Sequence, residues 1–417
     1  MAANPGTSDH LELLATMSRH FAASQDIQQT LAEALRLICG YVQSEGGALF
    51  LLEGEELVCR ACCGPVDIVG IRLGREQGIV GRSVSRHEAV IVRDVSADPD
   101  FQAQVDAESG FTTRSILCAP MRVHEQALGA IELVNKAGGD GLFSEPDLMM
   151  LQTLSTSAAL ALTNARMAAQ LVEQEKVRRE LELAAEIQRS LLPAEPPAGF
   201  PIRGVNRPAR TVSGDFYDFY LLPSGSYYFA IGDVAGKGMN AALLMSKTAS
   251  LFRCLGKETP QPGRLLARIN AELCETTSHG LFVTMTIGRF DPVSRRVVLA
   301  NAGHEPALRL GADGSSATFA AEHPPLGILP TSDDATLPET QVDLADAQLF
   351  LYTDGITEGH TAAGAPLGAD GVVGLLRESA GAPQEAQLAA VIAALSTGAV
   401  QHDDLTLLAV DGRRAAS

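Results

Sequence analysis

The 417-residue sequence lacks a long hydrophobic run, an excess of positive charge and the paired cysteine spacing of a zinc site. No stretch approaches the roughly 18 apolar residues of a membrane-spanning helix, and no basic segment precedes an apolar core at the N-terminus. We therefore expect a cytoplasmic protein without a membrane segment. The 32 Lys and Arg against 50 Asp and Glu give a net charge of −18, which repels nucleic-acid phosphates and argues against a nucleic-acid partner.

The seven cysteines are an odd number without two CxxC pairs, so we predict buried thiols rather than a disulfide framework or a zinc site. A redox-sensing role for adjacent Cys62 and Cys63 stays open beside the packing role. The composition is that of a globular protein, with 46% hydrophobic and 20% charged residues. Two folded units are expected, because one domain typically has roughly 100–200 residues.

The first part of the chain mixes helical and strand patterns. Apolar residues recur every three or four positions over residues 11–42, which predicts two helices. Short apolar segments around polar turns predict two strand pairs and hence a central sheet. These segments are 48–52 with 57–59, and 115–122 with 127–135.

A long helical pattern joins the two parts of the chain. It begins after Ser144, a candidate N-cap, and continues to Leu191 with charges of both signs between the apolar residues. We interpret residues 166–195 as a helical coiled-coil linker. A single amphipathic helix packed on its neighbour is the alternative. Four prolines at 193, 196, 197 and 201 end the pattern and mark a domain boundary near residue 195.

The second part contains many short apolar strands interrupted by helical patterns, most clearly at 241–255 and 262–276. Strands and helices in separate clusters predict antiparallel sheets faced by helices. The whole chain is therefore predicted to be an α+β protein of two domains.

Four aspartates of this second part stand at predicted strand ends beside glycine or another acid: Asp215, Asp233, Asp354 and Asp403. Side chains at strand ends project into a shared cleft. Carboxylates that converge without His or Cys suit Mg²⁺ or Mn²⁺ better than zinc, and a pair of such ions can clamp a phosphate oxygen and activate a water. A single Asp-Gly pair is better explained as a solvated turn, so the argument depends on the combination.

Six ordered motifs of this part resemble the SpoIIE/RsbU branch of the metal-dependent type-2C (PPM) serine/threonine phosphatases. The resemblance covers residues 196–412 and implies an αββα sandwich with two Mn²⁺ or Mg²⁺ ions between its sheets. The motifs are SGDFYDFY (213–220), IGDVAGKGMNAALLMS (231–246), NAGHEP (301–306), PPLGILP (324–330), LYTDGITEG (351–359) and HDDLTLL (402–408).

The resemblance implies that Asp215, Asp233, Asp354 and Asp403 are the catalytic metal ligands, joined by the backbone carbonyl of Val234. Four further residues keep two interpretations each. Asp404 is a further ligand or supports the ligands, and Asp218 is a further ligand or only a capping or solvated carboxylate. His304 orients the site or is a hydrogen-bonded structural histidine, and Lys237 meets substrate phosphate or is solvated. Asn240 stands where the branch usually has Pro, and we expect it to cap the following helix.

Three segments of the first part are GGALFLLEGEEL, GIVGRSVSRHEAVIVRDVSADPDF (78–101) and SILCAPMRVHEQALGAIELVNK (115–136). With them, residues 20–165 resemble a GAF domain, an antiparallel sheet with helices that often holds a small ligand. Asn135, Lys136 and Asp147 are similar to the signature of cyclic-nucleotide-binding members, so a cyclic nucleotide is conceivable. A structural bridge between these residues is the favoured interpretation, and an empty, dimerising domain is a further alternative. The linker text ELELAAEIQRSLLP also resembles the SpoIIE/RsbU branch, in which this helix joins two protomers.

These resemblances imply a signal-regulated phosphatase that acts on a phosphorylated protein, by analogy an anti-sigma-factor antagonist of the STAS type, and works as a homodimer through the linker and the GAF domain. The alternative is a ligand-sensing dimeric scaffold with a non-catalytic phosphatase fold. A phosphohydrolase of the HD class is disfavoured, because the residues after His402 and Asp403 predict a strand rather than a helix.

Overall fold

This computed structural model describes residues 27–413 apart from gaps at 104–105, 108–109, 139, 198, 277–279, 333, 363 and 397–400. The first of the two predicted opening helices lies outside the described residues. The chain divides into two compact units, one up to Glu175 and one from Lys176 onward. None of the described helices combines the length and apolar character that crossing a membrane requires.

The first unit is a six-stranded antiparallel sheet with helices on both faces, and both predicted strand pairs are present. Its elements are α1 (Ile27–Val42), β1 (Ser44–Glu53), β2 (Glu56–Cys63), β3 (Arg72–Gly74), α2 (Gly78–Arg86), β4 (Val90–Val92), β5 (Ile116–Val123), β6 (Gln126–Lys136) and the start of α3 (Glu145–Leu191). The strand order is β3-β2-β1-β6-β5-β4.

Alternation along the strands separates two apolar cores in this unit. Leu49 and Ile131 face a core that α1 and the first turns of α3 complete. Ala48 and Ala130 point the other way, toward α2 and the loop segments beyond it. The sheet is therefore covered on both faces, and its central strands are buried.

Two cysteines of the first unit contradict the prediction of buried thiols. Cys39 of α1 and Cys63 at the end of β2 form a disulfide across 24 residues of sequence. The packing of α1 on the sheet brings the two sulfur atoms together, which spacing alone does not reveal. Cys254, in the second unit, is an exposed thiol and is also not buried.

The helix α3 is continuous over 47 residues and confirms the predicted long helix. Ser144 and Asp147 cap its start, because the Ser144 amide donates to Asp147 Oδ2 at 2.9 Å and the Asp147 amide donates to Ser144 Oγ at 3.4 Å. Several large apolar side chains of its second half are exposed. They are Leu171, Val172, Val177, Leu183 and Ile187.

The second unit contains two five-stranded sheets. Its elements are β7 (Ile202–Arg207), β8 (Phe216–Leu221), β9 (Tyr227–Val234), α4 (Met239–Leu255), α5 (Pro262–Thr276), β10 (Val283–Asp291), β11 (Arg296–Ala302), β12 (Ala307–Gly311), β13 (Ser316–Phe319), β14 (Thr340–Asp343), β15 (Ala347–Tyr352), α6 (Asp354–Glu358), α7 (Gly368–Glu378), α8 (Gln384–Ser396) and β16 (Leu405–Asp411). The strand orders are β14-β11-β10-β9-β8 and β13-β12-β15-β16-β7.

These two sheets pack face to face with helices outside. Phe229 and Ile231 of one sheet share a core with Leu349 and Leu408 of the other. The opposite face of the first sheet packs on α4 and α5, and that of the second sheet packs on α6, α7 and α8. This αββα arrangement confirms the predicted α+β fold of two domains.

One local prediction in this unit is wrong. Asn240 does not cap α4, because the helix begins two residues before the predicted start at 241, with Gly238 as its N-cap and without a side-chain cap hydrogen bond. Gly236 and Gly238 adopt positive φ angles of 108° and 86°, which turn the chain sharply after β9. Asn240 therefore lies in the first turn of the helix.

Candidate metal centre

The four predicted aspartates come together where strands of both sheets end. Asp233 is the next-to-last residue of β9, and Asp354 begins α6 one residue after the end of β15. Asp215 precedes β8 and Asp403 lies shortly before β16. The charge of Asp233 acts on Asp215, and the charges of Asp354 and Asp403 act on Asp233, so the four carboxylates share one cleft.

Burial and mutual repulsion raise the pKa of three of these carboxyl groups. Asp215 is almost completely buried, and burial together with the charge of Asp233 raises its pKa well above the usual range. Burial and the charge of Asp354 raise the pKa of Asp233, and burial and the charge of Asp403 raise that of Asp354. A bound cation relieves this repulsion, so the cluster is suited to positive charge.

Two glycines let the loops of the cleft approach each other. A Cβ atom on Gly355 would lie 2.0 Å from the Asp404 carbonyl oxygen, so only glycine allows the start of α6 to pack on the 403–404 loop. A Cβ on Gly214 would lie 3.3 Å from the Val234 carbonyl oxygen and 3.7 Å from Asp233 Oδ1. The Asp-Gly pairs of the sequence thus reflect close packing in addition to turn geometry.

Thr353 connects two of the aspartates. Its hydroxyl donates to Asp215 Oδ2 at 2.7 Å and accepts the amide of Thr406 at 3.2 Å. Because Thr353 immediately precedes Asp354, the hydrogen bond fixes Asp215 relative to the chain that carries Asp354. Sequence reasoning did not single out Thr353, although it lies inside the LYTDG motif.

Asp404 supports the loop that carries Asp215. Its carboxylate accepts the Ser213 hydroxyl at 2.8 Å, the Gly214 amide at 2.7 Å and the Ala209 amide at 2.7 Å. These bonds occupy both carboxylate oxygens with donors from one loop. Of the two interpretations from the sequence, the structure favours the supporting role.

Two cations lie at the rim of the cleft. Lys237 Nζ is 2.8 Å from Asp403 Oδ2 and donates to the His402 carbonyl oxygen at 2.9 Å. Arg210 is exposed and close enough for its charge to act on Lys237. Lys237 is thus anchored to a predicted metal ligand rather than simply solvated. Arg210 is a second candidate for phosphate contact that the sequence analysis missed.

Asp218 and His304 have structural contacts. Asp218 is fully buried and accepts two hydrogen bonds from the Arg253 guanidinium, one of them at 2.6 Å, which makes it an anchor for α4 rather than a ligand.

Burial lowers the pKa of His304 to about 4. Its Nδ1 lies 2.9 Å from Thr284 Oγ1, and Thr284 pairs with Asp233 in adjacent strands. His304 is thus connected through Thr284 to the strand that carries Asp233.

Gln188, near the end of α3, also contacts the loop that carries Asp215. Its Oε1 accepts the Ser213 amide at 2.9 Å, and its Nε2 donates to the Ser213 carbonyl at 2.7 Å and to the Ala242 carbonyl at 3.4 Å. Sequence reasoning did not single out Gln188. It lies four positions after Ala184, and the helix face that carries Ala184 packs against Val212 and Ala242, so a polar residue at this position was a possible signal.

The residues present fit a divalent cation in their chemistry. All five predicted ligands offer oxygen, the donor that Mg²⁺ and Mn²⁺ prefer, and burial and neighbouring negative charges raise the pKa of three of the carboxyl groups. As the side chains stand, no three His, Cys, Asp or Glu side chains of the described residues are close enough to hold one ion. Asp215 Oδ2 is hydrogen-bonded to Thr353 and Asp403 Oδ2 is paired with Lys237, and each carboxylate keeps further lone pairs for a cation.

Comparisons with known proteins agree with this architecture. Residues 26–162 match the GAF domain family, and residues 223–413 match the family described as Stage II sporulation protein E (SpoIIE). The SiaA-PP2C domain of Pseudomonas aeruginosa superimposes with a TM-score of 0.51 at 22% identity, covering 57% of this chain and 98% of that one, which shows a common fold.

Two curated relatives share 30% identity with the chain. Protein IcfG of Synechocystis matches over 274 residues, which are 58% of this chain and 43% of the relative. The phosphoserine phosphatase RsbU of Bacillus subtilis matches over 192 residues, 45% of this chain and 56% of the relative. The chain thus spans about half the length of the curated relatives it matches. Together with the two sheets and their acidic cleft, these matches show that the chain joins a GAF domain to a phosphatase-type domain of the SpoIIE/RsbU branch of the PPM family.

Proposed function

We propose that the second unit is a divalent-metal-dependent protein phosphatase that hydrolyses phosphoserine or phosphothreonine on a partner protein. The observation that carries the proposal is the convergence of Asp215, Asp233, Asp354 and Asp403 in one cleft at the strand ends of both sheets. The name of the Bacillus subtilis relative, a phosphoserine phosphatase, supports the same reaction class.

In this proposal Asp215, Asp233, Asp354, Asp403 and the Val234 carbonyl hold two Mn²⁺ or Mg²⁺ ions. Such ions, when bound, neutralise phosphate charge and lower the pKa of water. The protein's own groups arrange the cleft around them. Thr353 holds Asp215 and Asp404 holds the 213–214 backbone, so the oxygens converge from loops that are already ordered.

The rim cations Lys237 and Arg210 give the cleft its preference for a phosphorylated substrate. In a chain of net charge −18, a phosphoprotein meets general repulsion, and two cations beside the cleft offset it locally. Lys237 supplies a point charge and Arg210 a planar donor fork that matches phosphate oxygens. The proposed substrate is a phosphorylated antagonist of the STAS type, an assignment that follows from kinship with the SpoIIE/RsbU branch.

Regulation is proposed to pass through α3 in a homodimer. The second half of this helix exposes Leu171, Val172, Val177, Leu183 and Ile187, which a second copy of the helix would cover. Gln188 lies on the same helix and bonds to Ser213, one residue from Gly214 and two from Asp215. A change in the helix pairing can therefore alter the loop that carries a ligand.

The test is hydrolysis of p-nitrophenyl phosphate and of a phosphoserine peptide by the full chain with Mn²⁺, Mg²⁺ or EDTA. We expect turnover that requires metal and falls at least a hundredfold in Asp354→Asn. Asp346→Asn, an exposed aspartate just before β15, is the matched control and should retain activity. Titration calorimetry with Mn²⁺ should show weaker binding to Asp354→Asn. Metal binding without turnover on either substrate would instead favour the scaffold alternative.

A further inference from the structure

A cavity of about 130 Å³ lies in the first unit, on the sheet face that α2 covers. Most of its lining is apolar, including Phe50, Ile79, Phe101 and Phe111. A water molecule needs only about 10–15 Å³ measured in this way, so the space accepts an organic molecule of modest size. Drug-sized ligands occupy larger pockets, which restricts the occupant to a small metabolite.

Glu132 lines this cavity from the middle of the sheet. It belongs to β6, and its neighbours in register are Ala48 of β1 and Cys118 of β5. Both neighbours are small, so space remains above the carboxyl group. A glutamate at the centre of an apolar sheet face is unusual, because a charged group loses hydration there without a compensating partner.

No described residue donates a hydrogen bond to Glu132. The negative charge of Asp106, which also lines the cavity, acts on Glu132. The Asp106 carboxylate accepts hydrogen bonds from the Thr113 amide and hydroxyl at 2.7 Å each. Burial and the charge of Asp106 raise the pKa of Glu132 to about 7. Asp106 is thus held by Thr113, whereas the carboxyl of Glu132 faces the cavity without a donor from the part of the chain that the structure describes.

The charges around the cavity have one sign. Its described lining contains two carboxyl groups and no Lys, Arg or His. The phosphate of a cyclic nucleotide would find no counter-charge there. Asn135, Lys136 and Asp147, the residues similar to a cyclic-nucleotide signature, are not among the lining residues.

These three residues instead form structural contacts. Asn135 Oδ1 accepts the Arg114 amide at 2.7 Å, and its Nδ2 donates to Glu45 at 2.7 Å. Lys136 Nζ lies 2.8 Å from Asp147 Oδ1 and donates to the Val42 carbonyl at 2.7 Å. They connect β6 to β1, α1 and α3, as the structural-bridge interpretation predicted, and do not line the cavity that Glu132 lines.

We propose that this cavity binds a small organic ammonium ion with an apolar body, whose N–H groups donate to Glu132. The apolar lining covers the body of the ligand, and the carboxylate supplies both the counter-charge and the acceptor. Anionic metabolites, cyclic nucleotides included, are excluded by Glu132 and Asp106. This inference concerns the first unit and stands independently of the proposed phosphatase activity.

The test uses titration calorimetry on the full chain at pH 8, where Glu132 is ionised and an aliphatic amine is still protonated. The probes are 2-phenylethylamine, its neutral analogue 2-phenylethanol, the anion 3-phenylpropionate and cyclic GMP. We expect the amine to bind at least tenfold more tightly than the alcohol, and neither anion to bind. Tighter binding of either anion than of the amine, or no binding of the amine at millimolar concentration, would overturn the proposal.

Glu132→Gln keeps the size of the side chain and removes its charge. We expect this variant to lose at least tenfold in affinity for the amine and to keep its affinity for the alcohol, which shows that the cavity is intact. Glu125→Gln, in the exposed turn between β5 and β6, is the matched control and should bind the amine like the unmodified protein. Unchanged amine affinity in Glu132→Gln would rule out the assigned role.

Discussion

Gln188 of the long helix forms hydrogen bonds with both backbone groups of Ser213 in the acidic cleft. It accepts the Ser213 amide at 2.9 Å and donates to the Ser213 carbonyl at 2.7 Å. Ser213 in turn donates to Asp404 at 2.8 Å and precedes Gly214 and Asp215. An amide side chain carries a donor and an acceptor side by side, which suits the amide and carbonyl groups of one residue. The helix and the predicted ligand Asp215 are thus linked by two hydrogen bonds.

Replacing Gln188 by Leu should reduce activity without unfolding the second unit. Both Ser213 backbone groups lose a buried partner, which costs about 1–3 kcal/mol for each unsatisfied group and loosens the loop of Asp215. We expect kcat to fall at least tenfold and Mn²⁺ binding to weaken in calorimetry, while the KM for p-nitrophenyl phosphate changes little.

Two further variants separate positioning from general damage. Gln188→Glu keeps the acceptor for the Ser213 amide and loses the donor to its carbonyl, so its activity should be intermediate. Gln174→Ala, on an exposed part of the same helix, should have no effect. Equal activity in Gln188→Leu and the unmodified protein would show that the hydrogen bonds to Ser213 do not matter for the cleft.

Lys237 should compete with metal for Asp403. The ammonium lies 2.8 Å from Asp403 Oδ2, and a cation at that oxygen must displace it. We expect Lys237→Gln to bind Mn²⁺ several-fold more tightly in calorimetry and to show a higher KM for the phosphoserine peptide, because a rim cation is lost. Lys257→Gln, an exposed lysine beyond the end of α4, is the control. Weaker Mn²⁺ binding in Lys237→Gln would contradict this competition.

Asp218 should matter for stability rather than for metal binding. Its buried carboxylate is paired with Arg253, which is itself partly exposed and also lies over the Tyr220 ring. Arg253→Met leaves the buried charge without its partner, and partial solvation reduces the cost to on the order of 2 kcal/mol. Thermal denaturation should show the loss, whereas Mn²⁺ affinity should stay within twofold. A large drop in Mn²⁺ affinity would instead place Asp218 in the metal centre.

The sequence predicted the layers and the four aspartates because both depend on local patterns. Strands such as β9 and β15 end in Asp-containing motifs, and the helical period of α3 continues on both sides of a polar gap at 174–176. The Cys39–Cys63 disulfide, the Gln188–Ser213 hydrogen bonds and the Glu132 cavity were not predicted. Each joins residues from elements distant in sequence, and in each the decisive fact is a contact that only the packed sheets and helices create.

The Glu132 carboxyl should make the first unit less stable as the pH rises. Its pKa is about 7 in the folded chain against 4.5 in the unfolded chain, so the folded state binds the proton more tightly. The contribution of Glu132 to the free energy of unfolding is therefore most favourable below pH 4.5. It falls as the pH rises from about 4.5 to 7 and is constant above that, and the total loss is on the order of 3 kcal/mol. The thiols of Cys59 and Cys118 face the same region, and burial raises the pKa of both, that of Cys59 to about 12, so they stay neutral over this range.

Scanning calorimetry at a series of pH values checks this prediction with Glu132→Gln as the comparison. The variant cannot ionise at residue 132, so its first unit should melt only slightly above that of the unmodified protein near pH 5. This difference in melting temperature should grow as the pH rises and reach a plateau above pH 7. A 2-phenylethylamine ligand should reduce this difference at pH 8, because it stabilises only the ionised carboxylate. A difference in melting temperature that does not change with pH would show that Glu132 does not titrate in this range.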